Sequence, residues 1–370
     1  MPRVASVFVC LCFAILSACA HDRGAAPIIP AAAGVGQQEM IFGATSRKAE
    51  GSGFGSERSA TLSLLEMEIS IPPERERGTL NLGGADPDPR TDFVISAQTL
   101  HDEGSFRRRI KSHLNKIPAY QREVTIFVHG FNNTHAEAAF RTAQLKRDIE
   151  IPGATIFYSW PSRGATLGYA YDEDSALFAR DGLENLLRAT HNATGLPVII
   201  VAHSLGSQLT MEALRQIEIS SPGWSKRNLS GVILMSPDLD VDLFKSQIAR
   251  FQSVPQPFVI FANSRDRALG ISQRIRGTNT RARLGNISSL EQLSDLPVQV
   301  VDTSNLKRSR DLNHFPAANS PTLIALLRRL RDQADAQERR RIELARLLPG
   351  DVSQLGGAVR VELDEEAVEQ

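Results

Sequence analysis

Residues 198–206 of this 370-residue chain read VIIVAHSLG and decide its fold. The apolar, β-branched run at 198–201 predicts a buried strand, and the apolar spacing of residues 205–219 predicts a helix directly after it. Ala202 and Gly206 suit a sharp turn between the two, because larger side chains would clash with neighbouring elements. Such a turn would present the Ser204 hydroxyl at a helix N-terminus, where the dipole favours developing negative charge. A serine that simply caps the helix is the alternative.

Strands and helices alternate along the chain around this turn. Further short apolar strands are predicted at 124–128, 154–158, 232–235, 258–262 and 298–301. Helices are predicted over 134–146, from a capping box of Thr134 and Glu137, and over 174–190 and 321–348. Earlier come strands at 40–44 and 62–71, joined by a loop at 46–61, and a short helix at 105–115 with Ser105 as its N-cap. The alternation predicts an α/β fold with a mostly parallel central sheet and helices on both faces.

The composition argues against several classes of function. Lys+Arg and Asp+Glu number 42 each, so the formal net charge is zero and the chain lacks the basic character of nucleic-acid-binding domains. The three cysteines are Cys10, Cys12 and Cys19, so the rest of the chain can form neither a disulfide nor a thiolate metal site. No His/Asp cluster has metal-ligand spacing. We therefore expect no metal, no cofactor and no nucleic-acid partner.

The N-terminus has the pattern of a secretion signal. Arg3 precedes an apolar run at 4–16 that is too short to span a bilayer as a stable helix. Residues 16–19, LSAC, resemble a bacterial lipobox, which implies removal of residues 1–18 and acylation of Cys19. Two or three acyl chains would anchor the protein stably, whereas one chain would not. The alternative is an ordinary cleaved signal whose small residues happen to precede a cysteine.

The sequence predicts four segments: a signal peptide (1–18), a flexible tether rich in Ala, Pro and Gly (19–37), an α/β domain (38–348) and an acidic, disordered tail (349–370). No segment after residue 19 is apolar enough to cross a membrane, so the lipid on Cys19 would be the membrane anchor. Ala20 is not the acidic residue that often signals inner-membrane retention. The resemblance to lipoprotein signals therefore favours a lipid-anchored envelope protein at the outer membrane, facing the periplasm.

Five segments together resemble a bacterial family of uncharacterised hydrolases of the esterase/lipase superfamily. They are VHGFNNT at 128–134, YSWPSRG at 158–164, AHSLGS at 202–207, SPDLD at 236–240 and NSRDRAL at 263–269. The likeness runs from about residue 38 to about residue 330. It implies the α/β-hydrolase fold, a serine–acid–histidine triad and hydrolysis of an ester-type bond, with Ser204 in the nucleophile elbow. Ala202 stands where the commonest elbow pattern has glycine.

The VHGFNN segment follows a predicted strand and resembles the oxyanion turn of the same superfamily. Acyl transfer needs two N–H donors aimed at the carbonyl oxygen once it becomes negative. The resemblance assigns these donors to the backbone of Phe131 and Leu205, and Gly130 would let the backbone approach the substrate. His129 could act as a base, but in this motif it normally supports the loop.

His314 is the predicted catalytic base. Of the eight histidines, it is the one that lies between the last predicted strand and the last predicted helix, where α/β-hydrolases place this residue. An unperturbed pKa of about 6.5 suits an imidazole that must accept the serine proton. His314 would shuttle the proton between Ser204 and the leaving group.

The acid of the triad has two candidate positions. Asp266 follows the predicted strand at 258–262, one strand before the histidine, which is the usual place for the acid. Asp238 and Asp240 follow the preceding strand, and some lipases draw their acid from there. Asp240 could instead cap the next helix. Chain position favours Asp266.

Two functions remain open from sequence. The first is a serine hydrolase that acts on a small-molecule or lipid-like acyl substrate; the second is a non-catalytic envelope lipoprotein that uses the hydrolase fold as a binding scaffold. Tyr158 and Trp160 follow a predicted strand and are equally suited to wall the substrate site or to pack in the core.

Overall fold

A computed structural model of the chain describes residues 26–266, 269, 283–286, 290–305, 324 and 350–363. The strands are β1 (Gln37–Glu50), β2 (Gly53–Ile71), β3 (Val94–His101), β4 (Val124–Val128), β5 (Ala154–Ser159), β6 (Val198–His203), β7 (Leu229–Met235), β8 (Phe258–Ala262), β9 (Gln299–Asp302), β10 (Gly350–Leu355) and β11 (Ala358–Leu363). The helices are α1 (Glu103–Asn115), α2 (His135–Ile149), α3 (Tyr169–Thr194), α4 (Leu205–Ser220), α5 (Trp224–Asn228) and α6 (Val241–Ile248). Short 3₁₀ turns lie at Pro30–Gly34, Ala119–Gln121, Leu284–Asn286 and Leu290–Leu293.

The eleven strands of the described residues form one sheet, in the order β10-β11-β9-β8-β7-β6-β4-β5-β1-β2-β3. Neighbours from β11 to β1 pair in parallel, and the β1–β2, β2–β3 and β10–β11 pairs at the two edges are antiparallel. From β4 the chain continues to β5 on one side and returns to β6 on the other. The strand order therefore reverses at β4 and β6, and in such sheets ligands bind outside the carboxyl ends of the strands at this point. The predicted α/β-hydrolase fold is confirmed.

Among the described residues, helices cover both faces of the sheet. Ile156 and Phe157 are successive residues of β5 and belong to different core clusters, because successive side chains of a strand point to opposite faces. On the Phe157 face, α2 packs through Phe140. On the Ile156 face, α1, α3, α4 and α6 contribute to the larger cluster, for example through Leu183 and Leu209.

Most central elements are where the sequence predicts them. Strand β8 matches residue for residue, and the capping box of Thr134 and Glu137 begins α2. Gly195 ends α3 in the left-handed conformation, at φ +69°. The predicted N-cap of α1 is wrong, because the helix begins at Glu103 with Asp102, not Ser105, as its N-cap. Strand β3 was not predicted from the sequence.

The predicted loop at 46–61 is wrong, because these residues continue β1 and β2 into one long hairpin. Arg47 pairs with Arg58 and Glu50 with Gly53, around a turn where Gly51 has φ +57°. Two register shifts near Arg47 interrupt the alternation that would have indicated strands. Since β1 pairs with β5 only as far as Thr45 and Ser159, the hairpin extends beyond the carboxyl edge of the sheet.

The predicted flexible tether at 19–37 is wrong for its described part. The Ile29 N–H donates to the Ile95 carbonyl at 2.8 Å, and Ser70 Oγ donates to the Ala32 carbonyl at 2.9 Å. Ala32 is fully buried, so a small side chain in an Ala-rich stretch packs against the edge of the sheet. Residues 1–25, with the predicted signal and Cys19, lie outside the described residues. Among the described residues, no helix is long and apolar enough to cross a membrane.

The predicted disordered tail at 349–370 is wrong over residues 350–363. These residues form the β10–β11 hairpin, and β11 adds to β9 in parallel. Val361 and Leu363 are buried, and Arg360 forms an ion pair with Asp302. The apolar alternation of β11 was hidden by the acidic residues around it. Of the predicted helix at 321–348, only Ile324 is described, and it is helical and buried.

Candidate active site

Ser204 occupies the sharp turn between β6 and α4. Its backbone has φ +51° and ψ −124°, a combination that residues other than glycine rarely adopt. The end of β7 and the loop after it hold Ser204 there: the Ser204 N–H donates to the Met235 carbonyl at 3.0 Å, and the Asp238 N–H donates to the Ser204 carbonyl at 3.2 Å. The Ser204 side chain makes no capping hydrogen bond to α4, so the alternative that it merely caps the helix is wrong.

Two glycines bring the loop after β4 against this turn. A Cβ at Gly206 would lie 2.2 Å from the His129 carbonyl oxygen, and a Cβ at Gly130 would lie 2.8 Å from the Ser204 Cβ. Any side chain at either position would push the two loops apart. The β4 loop, defined as residues 129–133, is therefore in direct contact with Ser204 where the strand order reverses.

The two predicted oxyanion donors, the N–H groups of Phe131 and Leu205, lie in the two segments that meet here. Leu205 is the first residue of α4, where a helix N–H has no intrahelical acceptor. Phe131 lies in the β4 loop and is partly buried. Within the described part of the chain, neither the Phe131 N–H nor the Leu205 N–H donates to a protein acceptor. Both amides are thus available to a negative oxygen, as an oxyanion hole requires.

His129 supports the β4 loop from within the core. Its ring stacks on Trp160 at 4.9 Å, its Nε2 lies 3.1 Å from the Trp160 carbonyl, and Trp160 Nε1 donates to the His129 carbonyl at 2.7 Å. Burial lowers the pKa of His129 to about 3, with a smaller contribution from the Arg47 charge. A neutral, enclosed imidazole suits the supporting role expected from sequence.

Of the two roles considered for Tyr158 and Trp160, the structure supports core packing. Both side chains are fully buried and belong to the larger core cluster. Tyr158 Oη donates to the Ala179 carbonyl at 2.7 Å, so its hydroxyl is occupied inside the fold. The predicted substrate wall is therefore corrected, because neither residue reaches a surface. The aromatic pair beside the Ser204 turn is instead Phe131 and Tyr169, whose rings meet edge to face at 5.2 Å.

Asp238 lies in a buried polar cluster that sequence reasoning missed. Tyr169 Oη donates to Asp238 Oδ2 at 2.6 Å, and Arg283 Nε lies 3.3 Å from Asp238 Oδ1. Asp238 and Arg283 are 2% and 3% exposed, so this is a fully buried ion pair. Tyr169 precedes the predicted start of its helix and Arg283 lies outside every predicted element, so no sequence signal placed either one here.

Asp240 has the other role that the sequence allowed. Its Oδ1 accepts hydrogen bonds from the N–H groups of Asp242 and Leu243, at 3.0 and 3.1 Å. These are the exposed N-terminal amides of α6, so Asp240 is the N-cap of this helix.

Asp266 lies in the turn that follows β8, as predicted, and is 5% exposed. Its N–H donates to the Asn263 carbonyl at 3.1 Å, and its Oδ1 accepts from the Leu269 N–H at 3.2 Å. His314 lies outside the described residues, so the histidine and its contact with the acid stay predictions. In the described part of the chain, no group of three or more His, Cys, Asp or Glu side chains is placed to hold a metal ion.

Comparison with known proteins identifies one family. The model of a family described as alpha/beta hydrolase of unknown function (DUF900) matches residues 102–331, which include the Ser204 turn, the β4 loop, Asp266 and His314. A solved structure described as a yden-like hydrolase from Pectobacterium atrosepticum is 17% identical, with 53% of this chain and 83% of that chain covered and a TM-score of 0.26. A likeness at that score adds nothing on the site. No curated protein matches the chain.

Proposed function

The chain belongs to the family of alpha/beta hydrolases of unknown function, and on that premise we propose that it is a serine hydrolase of carboxylic esters or related acyl bonds. The strained turn at Ser204 carries this proposal. A non-glycine residue at φ +51° costs about 1–3 kcal/mol and persists only where the surroundings enforce it, which happens mostly at functional sites. Here the strained residue is a serine at the carboxyl edge of the sheet, and its side chain does not cap the helix.

The proposed reaction proceeds through an acyl-enzyme. Ser204 Oγ attacks the substrate carbonyl while His314 accepts its proton, and the acid, for which we favour Asp266, holds the imidazole. The N–H groups of Phe131 and Leu205 stabilise the oxyanion until the carbonyl reforms and the alcohol leaves with the proton from His314. Water, activated by His314, then attacks the acyl carbonyl, releases the acid and returns the proton to Ser204.

A fluorophosphonate probe and a panel of p-nitrophenyl esters of rising chain length test this proposal. Wild-type protein should be labelled and should turn over part of the panel, whereas Ser204→Ala should lose labelling and on the order of 10⁶ in kcat. Ser207→Ala is the matched control, since Ser207 is also buried and its Oγ donates only to the Ala202 carbonyl in the described part of the chain.

The outcomes separate the two functions considered from sequence. Labelling that survives in Ser204→Ala would assign the nucleophile to another serine. A wild-type protein that is neither labelled nor active on any ester would favour the alternative, an envelope lipoprotein that uses the fold to bind a ligand. The panel also reports the preferred acyl-chain length.

We further propose that Cys19 carries the lipid that anchors the protein to the outer membrane. The basis is the lipobox-like segment LSAC at 16–19. Cys19→Ser should leave an unprocessed precursor or release processed protein into the soluble fraction, as followed by membrane fractionation. Processed Cys19→Ser protein that still pellets with membranes in high salt would refute the anchor and leave the proposed hydrolase activity untouched.

A further inference from the structure

We propose that Arg47 and Asp172 are positioning residues that hold the β4 loop in the geometry of an oxyanion hole. The inference rests on the proposed function, since it concerns how the Phe131 N–H is kept in place. Neither residue lies in the sequence motifs that predict the site, and both side chains are almost fully buried. Most of their hydrogen bonds are to main-chain groups of the β4 loop and of the loop after β5, and the others are to Ser159 Oγ, Ser162 Oγ and the Gly55 carbonyl.

Asp172 binds three groups from these two loops. Its Oδ2 accepts from the Asn132 N–H at 3.2 Å and from Ser162 Oγ at 2.5 Å, and its Oδ1 accepts from the Arg163 N–H at 2.7 Å. The carboxylate is fully buried in the first turn of α3, where the helix dipole favours a negative charge. Burial raises the pKa of Asp172, and these hydrogen bonds oppose that rise by stabilising the charged form.

The bond to Asn132 fixes the peptide that follows Phe131. Asn132 has φ +58°, in the left-handed region, so this peptide is held in a conformation that an unrestrained residue seldom keeps. The Phe131 carbonyl accepts from Asn133 Nδ2 at 2.8 Å. With the Asn132 N–H committed to Asp172, the Phe131 N–H is the amide of this turn left to face the oxyanion.

Arg47 holds the next residue of the same loop, at its carboxyl end. From the hairpin that extends past the sheet, its Nη2 donates to the Asn133 carbonyl at 2.8 Å and its Nη1 donates to the Ser162 carbonyl at 2.8 Å. Its Nε donates to Ser159 Oγ at 2.9 Å, and the side chain is 2% exposed. Desolvation lowers the pKa of Arg47 to about 10, so the guanidinium stays charged at neutral pH, helped by the nearby charge of Asp172.

The buried charges of Arg47 and Asp172 are thus hydrogen-bonded mainly to main-chain groups. Main-chain contacts of this kind restrict the loop at the two residues that follow Phe131. An oxyanion hole gains its effect from donors that need no rearrangement when the negative charge forms. Loss of either contact should therefore reduce transition-state stabilisation more than substrate binding.

Asp172→Asn tests the inference with an isosteric change. One acceptor oxygen becomes an NH₂ group that faces N–H donors, so the Asn132 peptide should move. We expect kcat on a p-nitrophenyl ester to fall on the order of 10²-fold, the scale of one lost oxyanion donor, with KM changed less than about threefold. The inhibition constant of a trifluoromethyl ketone, whose adduct with Ser204 carries an oxyanion, should rise in parallel with the loss of kcat.

Asp148→Asn is the matched control. Asp148 is 2% exposed and likewise accepts from a loop N–H, that of Gly78 at 2.9 Å, and from Arg75 and Gln144. It lies in the last turn of α2, which leads to the amino end of β5, at the edge of the sheet opposite to Ser204. Its loss should lower the urea midpoint as much as the loss of Asp172 does and leave kcat within about threefold of wild type.

Ser162→Ala keeps the inference testable if Asp172→Asn fails to fold. Ser162 Oγ connects Asp172 with the Asn133 N–H, which donates to it at 3.1 Å, so its removal loosens the same loop and buries no unpaired charge. We expect about tenfold lower kcat and a matching loss of ketone affinity. Wild-type kcat in both variants, or an equal loss in Asp148→Asn, would overturn the positioning role. Activity retained in Ser204→Ala would instead overturn the proposed function.

Discussion

Buried charged side chains lie on two sides of Ser204, and these two sides, or walls, use charge in different ways. On the side of β4, β5 and β1, the Arg47 and Asp172 side chains each bond to main-chain groups of neighbouring loops. On the side of β7, Asp238 and Arg283 face each other directly and are both almost fully buried. A charge bonded to the main chain fixes the course of a loop, whereas a charge paired with another side chain is largely neutralised.

This difference bears on the choice of the catalytic acid. The acid of a triad stabilises an imidazolium once the histidine has taken the serine proton. Asp238 shares its negative charge with Arg283 and accepts a hydrogen bond from Tyr169, and both partners weaken its pull on a third group. Asp240 is committed to the N-terminus of α6. The ion pair of Asp238 and the capping role of Asp240 therefore favour Asp266 as the acid, as does its position in the chain.

The largest expected effect is a loss of kcat, and it distinguishes Asp266 from Asp238 and Asp240 when each is replaced by asparagine. Asp266→Asn should fold and lose on the order of 10⁴ in kcat, because an amide would favour the wrong tautomer of the histidine. Asp240→Asn is the control and should keep kcat near wild type. Ester turnover measured side by side decides between the sites. A nearly wild-type Asp266→Asn beside an inactive but folded Asp238→Asn would place the acid on the β7 side.

Asp238→Asn should have its main effect on stability. The substitution leaves Arg283 buried without its counter-charge, and breaking one half of a buried ion pair typically costs about 3–5 kcal/mol. Tyr169→Phe is a graded control, since it removes one hydrogen bond to the same carboxylate and should cost about 1.5–3 kcal/mol. Urea unfolding measures both. An Asp238→Asn protein as stable as wild type would show that the pair is not the structural feature we describe.

Both walls differ from the local features of the fold in what the sequence revealed. The Ser204 turn and the capping box of α2 were predictable because each depends on residues close together in the chain. The contacts of Arg47 and Tyr169 were not, because they join residues 86 and 69 positions apart, to Asn133 and Asp238. No local pattern marks an arginine that will be buried against the carbonyl of another loop.

The chain ends show the same limit for the fold. Strand β11 is held by its neighbour β9 and by the ion pair between Arg360 and Asp302. Neither contact can be predicted from the acidic composition of this segment, which is typical of a disordered tail. The segment at 26–36 is ordered by hydrogen bonds to β2 and β3, although its own residues carry no periodicity. Tertiary contacts, not local propensity, decide the structure in both places.

The smallest effect on stability is expected at Asp240, which lies on the β7 side and is hydrogen-bonded to main-chain N–H groups. Asp240→Ala should lower the free energy of unfolding by about 1 kcal/mol, because the N–H groups of Asp242 and Leu243 lose their acceptor at an end of α6 that water partly reaches. Asp242→Ala is the control: Asp242 lies in the first turn of the same helix, is exposed, and should contribute only a few tenths of a kcal/mol through the helix dipole. Both variants should keep wild-type kcat on esters. An Asp240→Ala protein of normal stability with kcat reduced by orders of magnitude would mean that this carboxylate serves the histidine and that its place at the helix end is incidental.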